Sequence, residues 1–167
     1  MAKNVVIAVA SSGDAQTIAA ILLEAFREFE PLYTPGGFRA TTPSAAEIRA
    51  RWAEGPSWIA TLDGKKVGTV AAVDRGGEVY VRSMAVTPGA RGAGVAAALL
   101  DAVTQFAVDV GAQRMRLSTT PFLHDAIRLY ERAGFERLPG ELDLHGTPLV
   151  GMAKDLVEIR TPRSSSE

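Results

Sequence analysis

Two glycines one residue apart, Gly92 and Gly94, follow an arginine in the run Met84-Ala85-Val86-Thr87-Pro88-Gly89-Ala90-Arg91-Gly92-Ala93-Gly94-Val95-Ala96. This run joins a predicted strand to a predicted helix. There the backbone N–H groups and the positive helix end face an anion, with phosphate the natural ligand. Glycine lets the backbone approach a pyrophosphate that side chains would hold off. The same spacing also occurs in turns that use glycine only for tight packing. A Walker loop would need Gly-Lys-Ser or Gly-Lys-Thr, and neither follows. Gly92-Ala-Gly94-Val-Ala-Ala97 does match the dinucleotide fingerprint. That fold needs an acidic residue about 20 positions on, where this chain has Ser118-Thr119-Thr120.

The rest of the inventory is narrow. The absence of cysteine excludes disulfides, thiolate ligands and a cysteine nucleophile, and His124 and His145 alone argue against a multi-histidine metal centre. Both histidines read as loop or first-turn residues. With a formal net charge of −1 the chain has no general pull toward nucleic acid or anionic lipid, so neither partner is expected. No apolar run reaches the roughly 20 residues that span a bilayer, and Met1 to Val9 has no signal-peptide pattern, which predicts a cytoplasmic protein. Glu24, Glu28 and Glu30 gather near a helix end, where they could attract a cationic amine or form only a solvated face.

The elements that position the glycine turn are legible by period. Val5 to Val9 reads as a strand. Ile18, Ile21, Leu22, Ala25, Phe26 and Phe29 recur at helical spacing after Asp14 as cap. Pro31 to Pro43 reads as a long loop, with Tyr33 and Phe38 flanking Gly36-Gly37 as a hinged lid or as simple loop packing. Ser44 and Glu47 form a capping box for a short helix. Trp58 to Leu62 and Val67 to Val73 flank the hairpin turn at Asp63-Gly64, and Arg75-Gly76-Gly77 leads into Glu78 to Val86, giving a three-stranded meander. Val95, Leu99, Val103, Phe106 and Val110 define a helix ended by Gly111. A strand around Met115 and Leu117 follows, then a helix with Thr120 as cap and Pro121 in its first turn. Phe135 to Leu138 and Pro148 to Leu156 complete the strands, joined through Asp143 to Gly146. The predicted class is α/β (α+β): a mixed, mostly antiparallel central sheet with helices on both faces. Residues 1–158 form one domain and 159–167 a solvated tail.

At Arg91-Gly92-Ala93-Gly94-Val95-Ala96 the sequence resembles the GNAT superfamily of acyl-CoA-dependent N-acyltransferases. The resemblance continues in Ala126-Ile127-Arg128-Leu129-Tyr130-Glu131-Arg132-Ala133-Gly134-Phe135, similar to the family's closing helix. It covers Trp58 to Phe135 well, and the flanks by element order.

The resemblance implies a GNAT-like fold and acetyl-CoA as co-substrate, with no metal. Arg91, Gly92, Ala93, Gly94, Val95 and Ala96 would cradle the pyrophosphate, and the pantetheine arm would pair along Met84, Ala85 and Val86. A splay between the strands of Met84 and Leu117 would open a cleft, and N–H groups near Ala85 would polarise the thioester carbonyl. Tyr130 matches the family's general acid to the departing thiolate. The histone-modifying branch carries a glutamate base where this chain has Tyr80, with Glu78 and Arg82 on the same face; Glu78 is the candidate base, acting through water. The family's asparagine contact does not transfer to His124, because the register is off by one. The expected acceptor is a primary amine of a small molecule or peptide, and relatives that pair through their late strands make a homodimer an expectation. A non-catalytic acyl-CoA-binding or sensing domain and a plain interaction module remain alternatives at this stage.

Overall fold

The computed structural model describes residues 4–156; the expected tail at 159–167 lies outside them. Runs of residues buried on both faces build β2 (Ser57–Leu62) and β3 (Lys65–Asp74), burial alternates along the start of β4 (Glu78–Val86), and the three pair antiparallel in chain order as a meander. β1 (Val5–Val9) joins β2 at one edge. Past β4 the sheet continues with β5 (Arg114–Thr119) and β8 (Thr147–Asp155). Along the outer side of β8 run β6 (Glu136–Arg137) and β7 (Leu142–Leu144), the latter one more strand than the sequence reading contained. Only β4 and β5 are parallel, so the mixed, mostly antiparallel sheet is as expected.

Helices cover both faces. α4 (Val95–Asp109) and α5 (His124–Arg132) bury Leu99, Val103 and Tyr130 with Val79, Val81, Met115 and Met152. Opposite them, α1 (Ala15–Phe26) and α3 (Ala45–Arg51) bury Ile18, Leu22 and Ile48 with Ile59 and Ala85. The Ser44 capping box forms as read: the Ser44 hydroxyl accepts from the Glu47 N–H at 3.2 Å. Asp14 behaves differently. Its carboxylate does not cap α1 but accepts from the Ser11 N–H at 2.8 Å, fixing the short turn before the helix.

Two further expectations are corrected. The stretch Pro31 to Pro43 is not a loop, since it contains α2 (Pro35–Thr41). Thr34 caps this helix through the Gly37 N–H (3.0 Å), and Pro35 fills its first turn. Two glycines make it a poor helix in isolation, so its docking decides. The Thr34 N–H donates to Thr147 Oγ1 (2.9 Å) and the Thr34 hydroxyl to the His145 carbonyl (2.8 Å), seating α2 on the β7–β8 hairpin. A Cβ on Gly37 would lie 2.3 Å from Thr147 Oγ1 and 2.9 Å from the Leu144 carbonyl oxygen. Gly37→Ala is therefore expected to destabilise the protein by about 1–3 kcal/mol, read as a lowered melting midpoint; an unchanged midpoint would mean that the hairpin yields freely.

The second correction concerns α5. It begins at His124, three residues after Pro121, and the Thr120 hydroxyl does not cap it. A turn closed by the Leu123 N–H on the Thr120 carbonyl (3.2 Å) comes first.

Candidate active site

The cleft originates where strand pairing stops. β4 and β5 are paired only from Glu78–Arg114 to Val81–Leu117, so beyond Val81 the β5-facing backbone groups of β4 lose their partner. A bulge sharpens the departure. Between Ala71↔Arg82 and Thr69↔Ala85, three steps along β4 oppose two along β3, and Ser83 takes a φ of 57°. A bulge bends its strand and re-aims the side chains that follow. Tyr80 and Arg82 precede it, and Ala85 beyond it packs into the α1 side of the core. The splay opens a cleft of about 1050 Å³ that passes between the α4–α5 layer and the α1–α3 layer.

At the α4 end the chain turns through Arg91 to Gly94. Gly92 and Gly94 both have φ near 81°, and a Cβ on either would meet nothing within 4 Å. The glycines serve backbone conformation and an open approach. Among the described residues, the first N–H bonded into α4 is that of Ala98, to the Gly94 carbonyl at 3.1 Å. The N–H groups from Gly92 to Ala97 find no acceptor, so six donors stand together at the positive end of a four-turn helix. Arg91 is held beside them by an ion pair with Glu28 and by a bond from Nη2 to the Ala25 carbonyl (3.0 Å).

The expected residues are largely brought together. Met84, Ala85, Val86, Arg91, Gly92, Gly94, Val95, Ala96 and Tyr130 all line the cleft, whereas Ala93 leans on the core behind the turn. Tyr130 is 5% exposed, and its ring meets Phe135 edge-on at 5.9 Å. Its hydroxyl makes no hydrogen bond among the described residues. Burial, and secondarily the neighbouring Tyr80, pushes this phenol well above its ordinary range, so it stays protonated at neutral pH.

Glu78 is not brought to the cleft. It sits at the start of β4, where the strands are still paired, and faces Arg75 at 3.8 Å. The acidic group does not face the cleft either, because Glu28 is spent on Arg91 while Glu24 and Glu30 are exposed outside it. Tyr33 and Phe38 form no free lid. Tyr33 is buried against Phe38 (6.0 Å) and Phe122 (4.9 Å), a fixed aromatic wall. His124 lines the cleft from the start of α5, and His145 lies in the β7–β8 turn away from it.

Three lining residues were not picked out as site residues from sequence. Thr120 Oγ1 is buried and has no bond of good geometry, and Arg82 Nε is buried without an acceptor. Arg51, from the end of α3, is half-buried and joins no ion pair among the described residues. Two orphaned donors in one cleft suit a polar ligand. Among the described residues no group of three or more His, Asp or Glu is placed to hold a metal, and no helix is long and apolar enough to cross a membrane.

Residues 18–135 match the model of the acetyltransferase (GNAT) family. Over 105 residues the chain is 40% identical to the N-acetylaspartate synthetase of Xenopus tropicalis, a match covering 60% of this chain and 37% of that protein. The chain spans well under half the length of the curated relatives it matches first. The solved ribosomal-protein-S18-alanine N-acetyltransferase from Escherichia coli shares the fold with a TM-score of 0.74 at 18% identity, over 98% of this chain and 99% of that one. An acetyltransferase from Elizabethkingia anophelis, solved with acetyl-CoA bound, gives a TM-score of 0.68 at 17% identity, over 92% and 99%.

Proposed function

We propose a function from one premise: the chain belongs to the acetyltransferase (GNAT) family, whose model matches more than half of its length. It moves an acetyl group from acetyl-CoA to a primary amine of a small molecule or peptide by direct attack. The observation that carries this reading is the continuous path from six unpaired N–H donors, along the unpaired end of β4, to the buried hydroxyl of Tyr130.

The chain's residues divide the work. The N–H groups of Gly92 to Ala97 bind the pyrophosphate without side-chain charge, and the open glycines suit its close approach. The unpaired edge of β4 from Met84 to Val86 holds the pantetheine amides as a further strand would, and its N–H groups near Ala85 take up charge that builds on the thioester oxygen. The amine nitrogen bonds to the acyl carbon, the carbon–sulfur bond breaks, Tyr130 gives its proton to the departing sulfur, and the proton shed by the new amide nitrogen passes through water to restore the Tyr130 phenol. The ammonium form of the acceptor gives its proton to water. Among the described residues the only carboxylate lining the cleft is Asp125, whose side chain is 91% exposed.

Incubation with acetyl-CoA and a panel of primary amines tests this. Release of free thiol that requires both components, with an amine product heavier by one acetyl group, is the expected result. Tight acetyl-CoA binding with no turnover on any amine would favour a sensing domain instead.

A further inference from the structure

Two guanidiniums line the cleft away from the glycine turn, Arg51 without an ion pair among the described residues and Arg82 paired with Glu54 through Nη2 alone. Arg51 ends α3 and Arg82 stands on β4 just before the bulge, and both line the cleft where it opens toward α1. Burial first, and then the charge of Arg82, draws Arg51 below the usual guanidinium value. Two carboxylates offset part of this charge from outside the cleft, Glu54 acting on both guanidiniums and Glu47 on Arg51. Glu54 takes Nη2 of Arg82 at 3.0 Å, and Glu47 is engaged with the Ser44 N–H and hydroxyl. Neither lines the cleft. Arg82 Nε remains buried without an acceptor, and a charged donor left in that state is costly.

These arginines are poorly placed for the CoA phosphates, because Arg82 lies at the opposite end of the unpaired stretch of β4 from Arg91. The same cleft is walled by Tyr33, Phe122, Leu144 and Leu149, which supply contact area but no anion. A cationic polyamine would meet repulsion here. An anion would satisfy the orphaned Nε of Arg82 and pair with Arg51.

We propose that the acceptor is a small primary amine that also carries a carboxylate, an amino acid in the simplest case, with the carboxylate held by Arg51 and Arg82. This rests on the acetyltransferase reading above and adds the acceptor's chemical class. The two arginines are specificity residues. They also make the amine easier to deprotonate, since nearby positive charge lowers an ammonium pKa, which compensates for the missing internal base.

The test compares L-aspartate and L-phenylalanine with phenethylamine and spermidine, using the CoA-loaded full chain for calorimetric binding and the acetyl-CoA-loaded chain for thiol release. Carboxylated acceptors should bind and be acetylated. Arg82→Gln, and independently Arg51→Gln, should raise KM for the amino acid about 10- to 100-fold and leave KM for acetyl-CoA unchanged, the range expected for one lost charged hydrogen bond. Arg82→Lys, which keeps the charge if the glutamine variant fails to fold, should lose less. Preference for phenethylamine or spermidine, or an unchanged amino-acid KM in folded variants, would overturn the proposal. So would failure of both amino acids to bind the CoA-loaded protein. Absence of acetyl-CoA binding would instead sink the acetyltransferase reading, so the two failures are separable.

Discussion

Gly94→Glu should weaken acetyl-CoA binding by about 100-fold or more, since like-charge juxtaposition costs several kcal/mol and each 1.4 kcal/mol is a factor of ten. A carboxylate would stand among the six unpaired N–H donors of Gly92 to Ala97 at the start of α4. The variant also carries a backbone penalty of about 1–2 kcal/mol, because residue 94 sits at φ 81°. Gly94→Asn separates the two effects. Asparagine tolerates the left-handed region, and its Cβ would meet nothing within 4 Å. The thermal shift produced by acetyl-CoA should follow the order parent, asparagine variant, glutamate variant, with both variants folded. An equal shift in all three would mean that the turn does not hold phosphate.

The glycine turn was legible because its signal is local: glycine spacing, a strand before it and an amphipathic helix after it. The meander was legible for the same reason, through the turns at Asp63-Gly64 and Arg75-Gly76-Gly77 between apolar runs. What escaped depends on partners far away in sequence. Gly36-Gly37 argues against a helix by propensity, and only docking on Thr147 and Leu144, more than a hundred residues later, makes glycine the residue that fits. Thr120-Pro121 has the form of a helix start, yet the chain spends a turn first and leaves the Thr120 hydroxyl in the cleft. The bulge at Ser83 has no marker in the sequence, since serine has no special tolerance for a φ of 57°.

Glu78 shows where a face argument reaches its limit. Period-two alternation puts Glu78, Tyr80 and Arg82 on one face of β4, and that is a statement about direction only. Whether a residue reaches the cleft depends on how far along β4 the pairing with β5 persists. It persists to Val81, so Glu78 lies beside a closed sheet while Arg82 lies at the opening. Arg82 was thus within reach of the sequence pattern, but the functional weight passed from the carboxylate to the guanidinium only once the splay was located.

Tyr130→Phe should lower kcat by about 10²- to 10⁴-fold, the usual contribution of a positioned general acid, with acetyl-CoA binding retained. The competing reading is that Tyr130 only packs, and the ring contact with Phe135 at 5.9 Å would serve that purpose. Phenylalanine keeps the ring and that contact, and the hydroxyl it removes makes no hydrogen bond among the described residues. The melting midpoint should therefore hardly move. A lost rate with unchanged stability and unchanged KM for acetyl-CoA separates proton donation from packing, because packing predicts that kcat survives. The pH profile gives an independent sign. Burial raises the Tyr130 phenol above its ordinary value of 10.0, so the acid stays protonated throughout the neutral and mildly alkaline range. The acceptor ammonium, in contrast, must lose its proton before it attacks. The parent's kcat/KM should rise with pH and show no descending limb below about pH 10, where an unperturbed phenol would begin to ionise. In the phenylalanine variant the rise should persist at a lower level, since it belongs to the amine. A descending limb near neutral pH in the parent would assign the proton to another group, and an unchanged kcat in the variant would remove Tyr130 from the chemistry.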